Sequence, residues 1–447
     1  MGTVAGGATQ GPGRADVVVV GTGAAGLSLA LHLARGGALF PGRRVVLLGP
    51  GRDVLHGPGT LHGHGTAGTD PFGSRVWGFW DTARCPVLPR AGTSFPVLRL
   101  HAGGRSLRLP SAPYRYRVVR GSDLRSLTAA ALAGRPEVEH LPFRARAIVD
   151  GPDGALVEHD GGVLSTRWVL DSAGLWAAPA RPAAVMAFRG WEVVTDRRRL
   201  DEQVPTLFDF RGLPAGSFGY QVPLGPGRAL VEVTRIVPPD GTGLPDPEPY
   251  LREVMGLEGY EIRRTEEGRL PLTPWHPRPA GRHVLAVGLP AGMLKASSGF
   301  GLARIQRDSA AVASSLLRHG HPFALPVPRW RHGLFDATFL RAVLRDPPLL
   351  ERAFGVLGRR PARLMRFLDE DCTLRQEVGI ALGMPPAGFL RGGCEALLGA
   401  ARPRRQAAPA RRPGREGTGE TRREGPAGPE GLAVPGTCAG KSGWPRP

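Results

Sequence analysis

Hydrophobic positions along this chain follow two patterns. In the first, apolar residues come in unbroken runs, as in strands covered on both faces. Residues 16–20 and 44–48 are mostly apolar segments of this kind, each opened by one charged residue. Between them, residues 24–35 carry Leu27, Leu29, Leu31 and Leu33 over a helix-length stretch. Strand, tight turn, helix and strand make a βαβ unit. Residues 115–133 read as a short strand and then a helix capped near Ser122 and Asp123. Residues 168–171 end another apolar strand. The second pattern runs from about 186 to 275, where short alternating segments such as 230–234 predict an antiparallel sheet. Residues 283–287 return to a buried parallel strand, followed by a helix over 301–317. Short helices rich in Leu, Phe and Arg fill 321–400. Residues 1–14 are Gly-rich and those from 401 onward are Arg, Pro and Gly with little to bury, so both are expected to be disordered.

Composition adds limits. The chain has 447 residues, 41% of them hydrophobic and 22% charged, with a net charge of +19. It contains no asparagine and only two lysines, Lys295 and Lys441. That bias is the mark of a GC-rich coding sequence, so the positive charge is partly compositional drift. The arginines are scattered and no nucleic-acid motif accompanies them, which leaves an anionic membrane surface as the better partner class. Four cysteines at no metal or redox spacing point to a reducing, cytoplasmic setting. His56, His62 and His64 cluster in a Gly-rich loop without a convincing set of acidic or Cys partners, so a flexible loop is expected there and not a metal site. No run of eighteen uncharged apolar residues could form a transmembrane helix. Residues 14–33 could pass for a signal peptide, but their glycine pattern has another meaning.

Gly21-Thr22-Gly23-Ala24-Ala25-Gly26 is a complete G-x-G-x-x-G between the first strand and the first helix. The first glycine makes the turn, the second lets backbone approach a pyrophosphate, and the third lets helix and strand pack closely. The helix start, at Ala24 and Ala25, offers free N–H groups and a positive dipole to phosphates. The acid that usually ends the second strand and binds ribose is absent: Gly49 stands there, with Asp53 a few residues on. The glycines do not separate FAD from NAD. Two later strand ends, Asp171 to Gly174 and Gly288 to Gly292, favour a two-domain flavoprotein that returns repeatedly to one cofactor. The expected architecture is α/β: a Rossmann-type FAD/NAD(P)-binding domain (15–185 and 281–320), an interleaved antiparallel-sheet substrate domain (186–280) and a C-terminal helical region (321–400).

Several ordered blocks resemble the lycopene cyclases, from about residue 15 to 395. They are Arg75-Val76-Trp77-Gly78-Phe79-Trp80-Asp81, Phe188-Arg189-Gly190-Trp191-Glu192-Val193, Leu207-Phe208-Asp209-Phe210, Val231-Glu232-Val233-Thr234, Glu266-Glu267-Gly268-Arg269-Leu270-Pro271 and Lys295-Ala296-Ser297-Ser298-Gly299-Phe300. Their order and spacing carry the resemblance. Gly49, Met186 and Phe300 depart from the family pattern. The resemblance implies cyclisation of the ends of lycopene to β-ionone rings, giving γ- or β-carotene. This is an isomerisation that requires reduced FAD, with NAD(P)H as reductant. The alternative on the same fold is an FAD-dependent monooxygenase or geranylgeranyl-type reductase acting on an apolar substrate. A non-catalytic dinucleotide-binding or membrane-scaffold protein is a third reading.

Such a cyclisation needs an acid, a base and something to stabilise a carbocation. Glu232 lies on an alternating strand, which gives its side chain one defined face. Buried against a polyene, its pKa would rise, as suits a general acid. From the residues alone it could equally be a structural carboxylate, and the resemblance favours catalysis. Glu192, Asp209 and Glu266 are further acid/base or pocket candidates. Trp77, Phe79, Trp80 and Trp191 are candidates to line a polyene tunnel, where aromatic faces favour cations. Lys295 is the one lysine outside the tail, so a site that needs a compact ammonium beside the flavin is expected there. Lycopene resides in the bilayer, so a peripheral association with the inner face of the cell membrane is expected, alongside other carotenoid-pathway enzymes. Residues 334–345 and 349–367 mix Leu and Phe with Arg, as interfacial helices do.

Overall fold

The computed structural model describes residues 13–35, 43–50, 73–81, 92–177, 181–196, 200–274 and 278–401. Its first sheet has seven strands: β1 (Gly13–Val20), β2 (Val45–Leu48), β8 (Val138–Leu141), β9 (Ala145–Asp150), β10 (Ala155–His159), β11 (Gly162–Asp171) and β17 (Val284–Ala286). The order is β8–β2–β1–β11–β10–β9. Strands β8, β2, β1, β11 and β17 are parallel, while β9 and β10 form an antiparallel extension. Strand β11 serves both parts: its first half pairs with β10 and its last three residues with β17.

Helix α1 (Ala24–Arg35) is buried from Ala25 to Ala34. Leu29 and Leu33 pack with Val17, Val19 and Val312; Leu27 and Leu31 pack with Phe79, Val119 and Leu302. The leucines recur every second residue because both sides of the helix are covered, by the sheet on one side and by α2 (Gly121–Leu132) and α3 (Leu302–His319) on the other. The Asp123 carboxylate accepts the Arg120 N–H (2.7 Å) at the start of α2, close to the cap expected there.

The second sheet also has seven strands, in the order β16–β12–β15–β14–β13–β5–β6. These are β5 (Val97–Ala102), β6 (Arg105–Pro110), β12 (Ala184–Val194), β13 (Thr206–Asp209), β14 (Ser217–Gly225), β15 (Arg228–Val237) and β16 (Glu261–Leu272). All neighbours are antiparallel except β13 and β5. The sheet therefore takes two strands from 97–110, inside the stretch expected to belong to the nucleotide domain. A small sheet of β3 (Val76–Asp81), β4 (Thr93–Phe95) and β7 (Arg115–Arg120) completes the strands. Strand β1 starts at Gly13, so ordered structure begins before residue 15.

The C-terminal helices are α4 (Trp330–Arg345), α5 (Leu349–Gly358), α6 (Pro361–Leu368), α7 (Leu374–Ala381) and α8 (Pro386–Ala401). The helices expected to lie in the membrane interface do not offer their apolar faces to it. Phe339, Leu340, Phe354, Leu364, Met365 and Phe367 are all buried in the largest core cluster, under the second sheet. Phe354 stacks on Phe208 with ring centroids 4.0 Å apart. Exposed apolar side chains stand instead on the last two helices and the segment between them: Leu374, Val378, Leu382, Leu390, Leu397 and Leu398. No helix among the described residues is long and apolar enough to cross a membrane.

Candidate active site

Three loops meet at the carboxyl ends of β1, β11 and β17. Gly21 has φ 97°, and a Cβ there would lie 2.4 Å from the Ser172 hydroxyl. A Cβ on Gly26 would fall 1.8 Å from the Gly21 carbonyl oxygen, so only glycine lets α1 start so close to the turn. A Cβ on Gly23 would meet nothing within 4 Å: this glycine faces the open space in front of the helix N-terminus. The return loops close around it. A Cβ on Gly288 would be 2.5 Å from that of Ala25, and one on Gly174 would be 3.3 Å from Pro290. Gly292, left-handed at φ 71°, closes the one-turn helix after Gly288. An open glycine approach under free helix N–H groups fits a pyrophosphate.

Two expectations for this cradle change. Asp171 is buried, and its two oxygens accept the N–H groups of Ala173, Gly174, Leu175 and Trp176 at 2.8–3.0 Å. It shapes the loop and has no oxygen left over for a ligand. Gly49 is packed against Thr22, where a Cβ would lie 2.7 Å from Oγ1 and 2.9 Å from the backbone nitrogen. The missing acid thus coincides with a space that Thr22 fills. Asp53 and the three loop histidines lie outside the described residues. Among the described residues no group of His, Cys, Asp and Glu could hold a metal.

Downstream of the cradle, residues 298–302 form one wall of a cavity of about 180 Å³. The opposite wall is the second sheet. Trp77, Met186, Phe188, Phe208, Phe218 and Phe300 give the cavity an apolar and largely aromatic surface. Ser298 lines it too, and its buried hydroxyl has no hydrogen-bond partner. Glu232 and Glu266 both reach it.

Strand register explains their meeting. Gly190 on β12 lies directly opposite Glu232 on β15 and Glu266 on β16, and Glu232 in turn lies opposite Tyr220 on β14. Side chains in such a row share one face. A Cβ on Gly190 would sit 2.6 Å from Glu232 Cγ, so the glycine leaves room for that side chain on the face it shares with Glu266. Burial pushes the Glu232 carboxyl well above its usual range, and the Glu266 charge adds to this against Arg264 and Arg75. Glu266 Oε2 accepts from Arg264 Nη1 at 2.6 Å. The Tyr220 hydroxyl lies 2.7 Å from that of Tyr116, in space kept by Gly78, where a Cβ would fall 1.7 Å from the Tyr116 oxygen. Neither tyrosine is marked by a sequence motif: cross-strand register places Tyr220 beside Glu232, and Tyr116 reaches Tyr220 from the small sheet.

The other candidates are elsewhere. Glu192 shares the face of Gly190 but is ringed by Arg120, Arg228 and Arg264. Burial works to raise its carboxyl, yet the hydrogen bonds and charges of Arg120 and Arg228 hold it below the usual range, so it is a fixed anion and not an acid. Asp209 is likewise buried, which works to raise it. Arg211, through its backbone N–H, Nε and Nη2, and the Tyr250 hydroxyl at 2.8 Å keep it ionised. Trp191 points to the opposite face of the sheet and packs near Tyr260. Trp80 and Phe79 are buried behind the cavity, with Trp80 5.8 Å from Phe300 between ring centroids. Lys295 is buried, its ammonium 2.5 Å from Asp336 Oδ1, 3.9 Å from Glu370 and 4.6 Å from the Phe367 ring centre. Its charge ties the cavity loop to the C-terminal helices and is not free to reach a flavin.

A parallel sheet with a glycine cradle, joined to a second, largely antiparallel sheet, is the fold of the FAD-dependent Rossmann-type oxidoreductases and monooxygenases. Within that class, residues 16–392 match the lycopene cyclase protein family, and the chain belongs to it. A geranylgeranyl bacteriochlorophyll reductase-like protein from Thermoplasma acidophilum superposes with a TM-score of 0.55 at 14% identity, over 85% of this chain and 99% of its own. A flavoprotein/dehydrogenase from Cytophaga hutchinsonii gives 0.53 at 14%, over 87% and 100%. The flavin-dependent brominase Bmp2 gives 0.53 at 12%, over 87% and 100%. At these identities the likeness is one of fold. No sequence relative was found among the curated proteins.

Proposed function

We propose that this chain is a lycopene β-cyclase that closes the ends of lycopene in the aromatic cavity, with FAD held in its reduced form and NAD(P)H as reductant. The observation that carries the reading is Glu232 lining an apolar, aromatic cavity, where burial pushes its carboxyl above the usual range. Gly21, Gly23, Gly26 and the first turn of α1 would hold the pyrophosphate, and the loop through Gly174, Gly288 and Gly292 would enclose it. When bound, the reduced flavin supplies negative charge that stabilises a cation.

The chain's own residues account for the acid chemistry. Glu232, protonated in its apolar surroundings, gives its proton to the terminal alkene. The tertiary cation that results lies among the faces of Trp77, Phe188, Phe208, Phe218 and Phe300, which favour positive charge. The π electrons of the nearby internal double bond form the ring-closing bond, and the cation moves into the new ring. Loss of a ring proton then leaves the ring double bond. One proton is added and one is lost, and no electrons are transferred.

The substrate would be drawn from the inner face of the cell membrane. The exposed leucines of α7 and α8 stand beside the exposed Arg375 and Arg391, a pairing that suits an anionic bilayer surface. The test is pigment analysis of a lycopene-accumulating bacterium that expresses the chain. Conversion to γ- or β-carotene is expected, and Glu232→Gln should abolish it. Unchanged lycopene with a flavin-loaded protein that consumes NAD(P)H would move the reading to a monooxygenase or reductase.

A further inference from the structure

The sheet brings Glu266 into the cavity as well as Glu232, in a row with a glycine between them. We propose that Glu232 and Glu266 form one catalytic dyad that holds a single proton: Glu232 gives it to the alkene, and the pair takes one back from the closed ring. This rests on the cyclase reading for its substrate, but the shared proton is a property of the free protein.

The two carboxyl groups stand in one row on one face of the sheet and line the same apolar cavity, where two negative charges side by side are costly, so one of them keeps a proton. Geometry says which. Glu266 is held by Arg264 at 2.6 Å, while Glu232 makes no ion pair among the described residues. The proton therefore rests on Glu232 and the charge on Glu266. Two like groups side by side in one apolar cavity cannot both ionise readily, so the second proton is hard to remove and the first hard to replace. Gly190 keeps the row open: a Cβ there would lie 2.6 Å from Glu232 Cγ and 3.2 Å from its Oε1. The charged and titratable groups that face Glu232 are Arg75 ahead of β3, Tyr116 on β7, Tyr220 on β14, and Arg264 and Glu266 on β16. The two tyrosines are pushed up by burial and stay protonated, so within the working range the dyad is the group that titrates.

The proton balance closes on the dyad. Protonation of the alkene leaves both glutamates ionised, which is the state with the highest proton affinity at this site. It forms at the moment the ring cation must lose a proton. Return of that proton restores the starting state without solvent and without any change in electron count.

The test is infrared spectroscopy of the flavin-loaded protein, with the carboxylic acid C=O band assigned by heavy-isotope glutamate labelling. Near neutral pH, one such band is expected from the cavity. It should vanish in Glu232→Gln, and in Glu266→Gln it should titrate away at lower pH than in the natural protein. Gly190→Ala keeps both carboxyls but separates them, and should move the band in the same direction. The alkaline limb of cyclisation should move with the band. A band that titrates at an unchanged pH in folded, flavin-loaded Glu266→Gln and Gly190→Ala would overturn the dyad. If the band behaves as described but lycopene is not converted, the dyad stands and the substrate reading falls.

Discussion

Replacing Lys295 by methionine removes a buried positive charge that pairs with Asp336. The Lys295 and Asp336 side chains are 2% and 4% exposed, and the ammonium lies 2.5 Å from the carboxylate. Methionine retains most of the packing under Phe367 but leaves the Asp336 carboxyl group buried without its partner. Breaking a buried pair from one side costs about 3–5 kcal/mol. A compact unit ending at Arg402 unfolds with an entropy of about 0.8 kcal/mol per degree at roughly 2.1 cal/mol/K per residue, so the loss corresponds to about 4–6 °C in Tm. The double variant Lys295→Met with Asp336→Leu removes both charges and should recover to within about 1 kcal/mol of the natural protein, since buried pairs contribute little net stability over apolar replacements. Glu370 keeps its own partner, Arg304 Nε at 3.2 Å, in both variants. Denaturant and thermal melts of the two variants, with flavin content measured on the folded fraction, form the assay. A single variant that loses less than about 1 kcal/mol would refute the buried-pair account. Flavin loss at unchanged stability would mean that the ammonium serves the cofactor after all.

His32 is buried beside Gln306, with Nε2 3.1 Å from Oε1, and burial lowers its pKa from 6.5 to about 4. Below pH 6.5 the unfolded chain takes up a proton that the folded one refuses, so stability falls as pH drops from 6.5 to about 4, by roughly 3 kcal/mol, and then levels off; urea melts across that window should lose this slope in His32→Gln. Restoring the absent acid with Gly49→Asp should lower flavin retention, because its Cβ collides with Thr22, and an increase in bound FAD would contradict this. Glu192→Gln should destabilise the fold by about 3 kcal/mol or more while leaving the alkaline limb of activity in place, as Arg120, Arg228 and Arg264 lose their shared anion. Leu382→Glu with Leu390→Glu should shift the protein from membrane to soluble fraction without changing its melting temperature. Full retention on anionic vesicles would remove α7 and α8 as the contact.

How much of the molecule could be read beforehand depended on the range of the interactions involved. Helix α1 and its glycine turn were legible because sterics between near neighbours decide them: Gly21 and Gly26 touch each other. The second sheet was legible as alternation, but its partners β5 and β6 were not, because a pairing over a hundred residues leaves no mark on either strand. The same limit sorted the site residues. Glu232 was found by motif, but its relation to Glu266 depends on both lying opposite Gly190, which only the register reveals. Trp191 and Glu192 are adjacent in sequence and face opposite sides of β12, so one motif could not place both in a cavity. Lys295 and the Leu-Phe-Arg helices failed for a different reason. Their composition was read correctly as unusual, yet burial against Asp336 and against the second sheet turned a presumed ligand contact and a presumed membrane face into internal structure. Long-range packing therefore decided which of the chemically capable residues meet, and here it selected two glutamates and a tyrosine, with a glycine between the acids, in a single row across four strands.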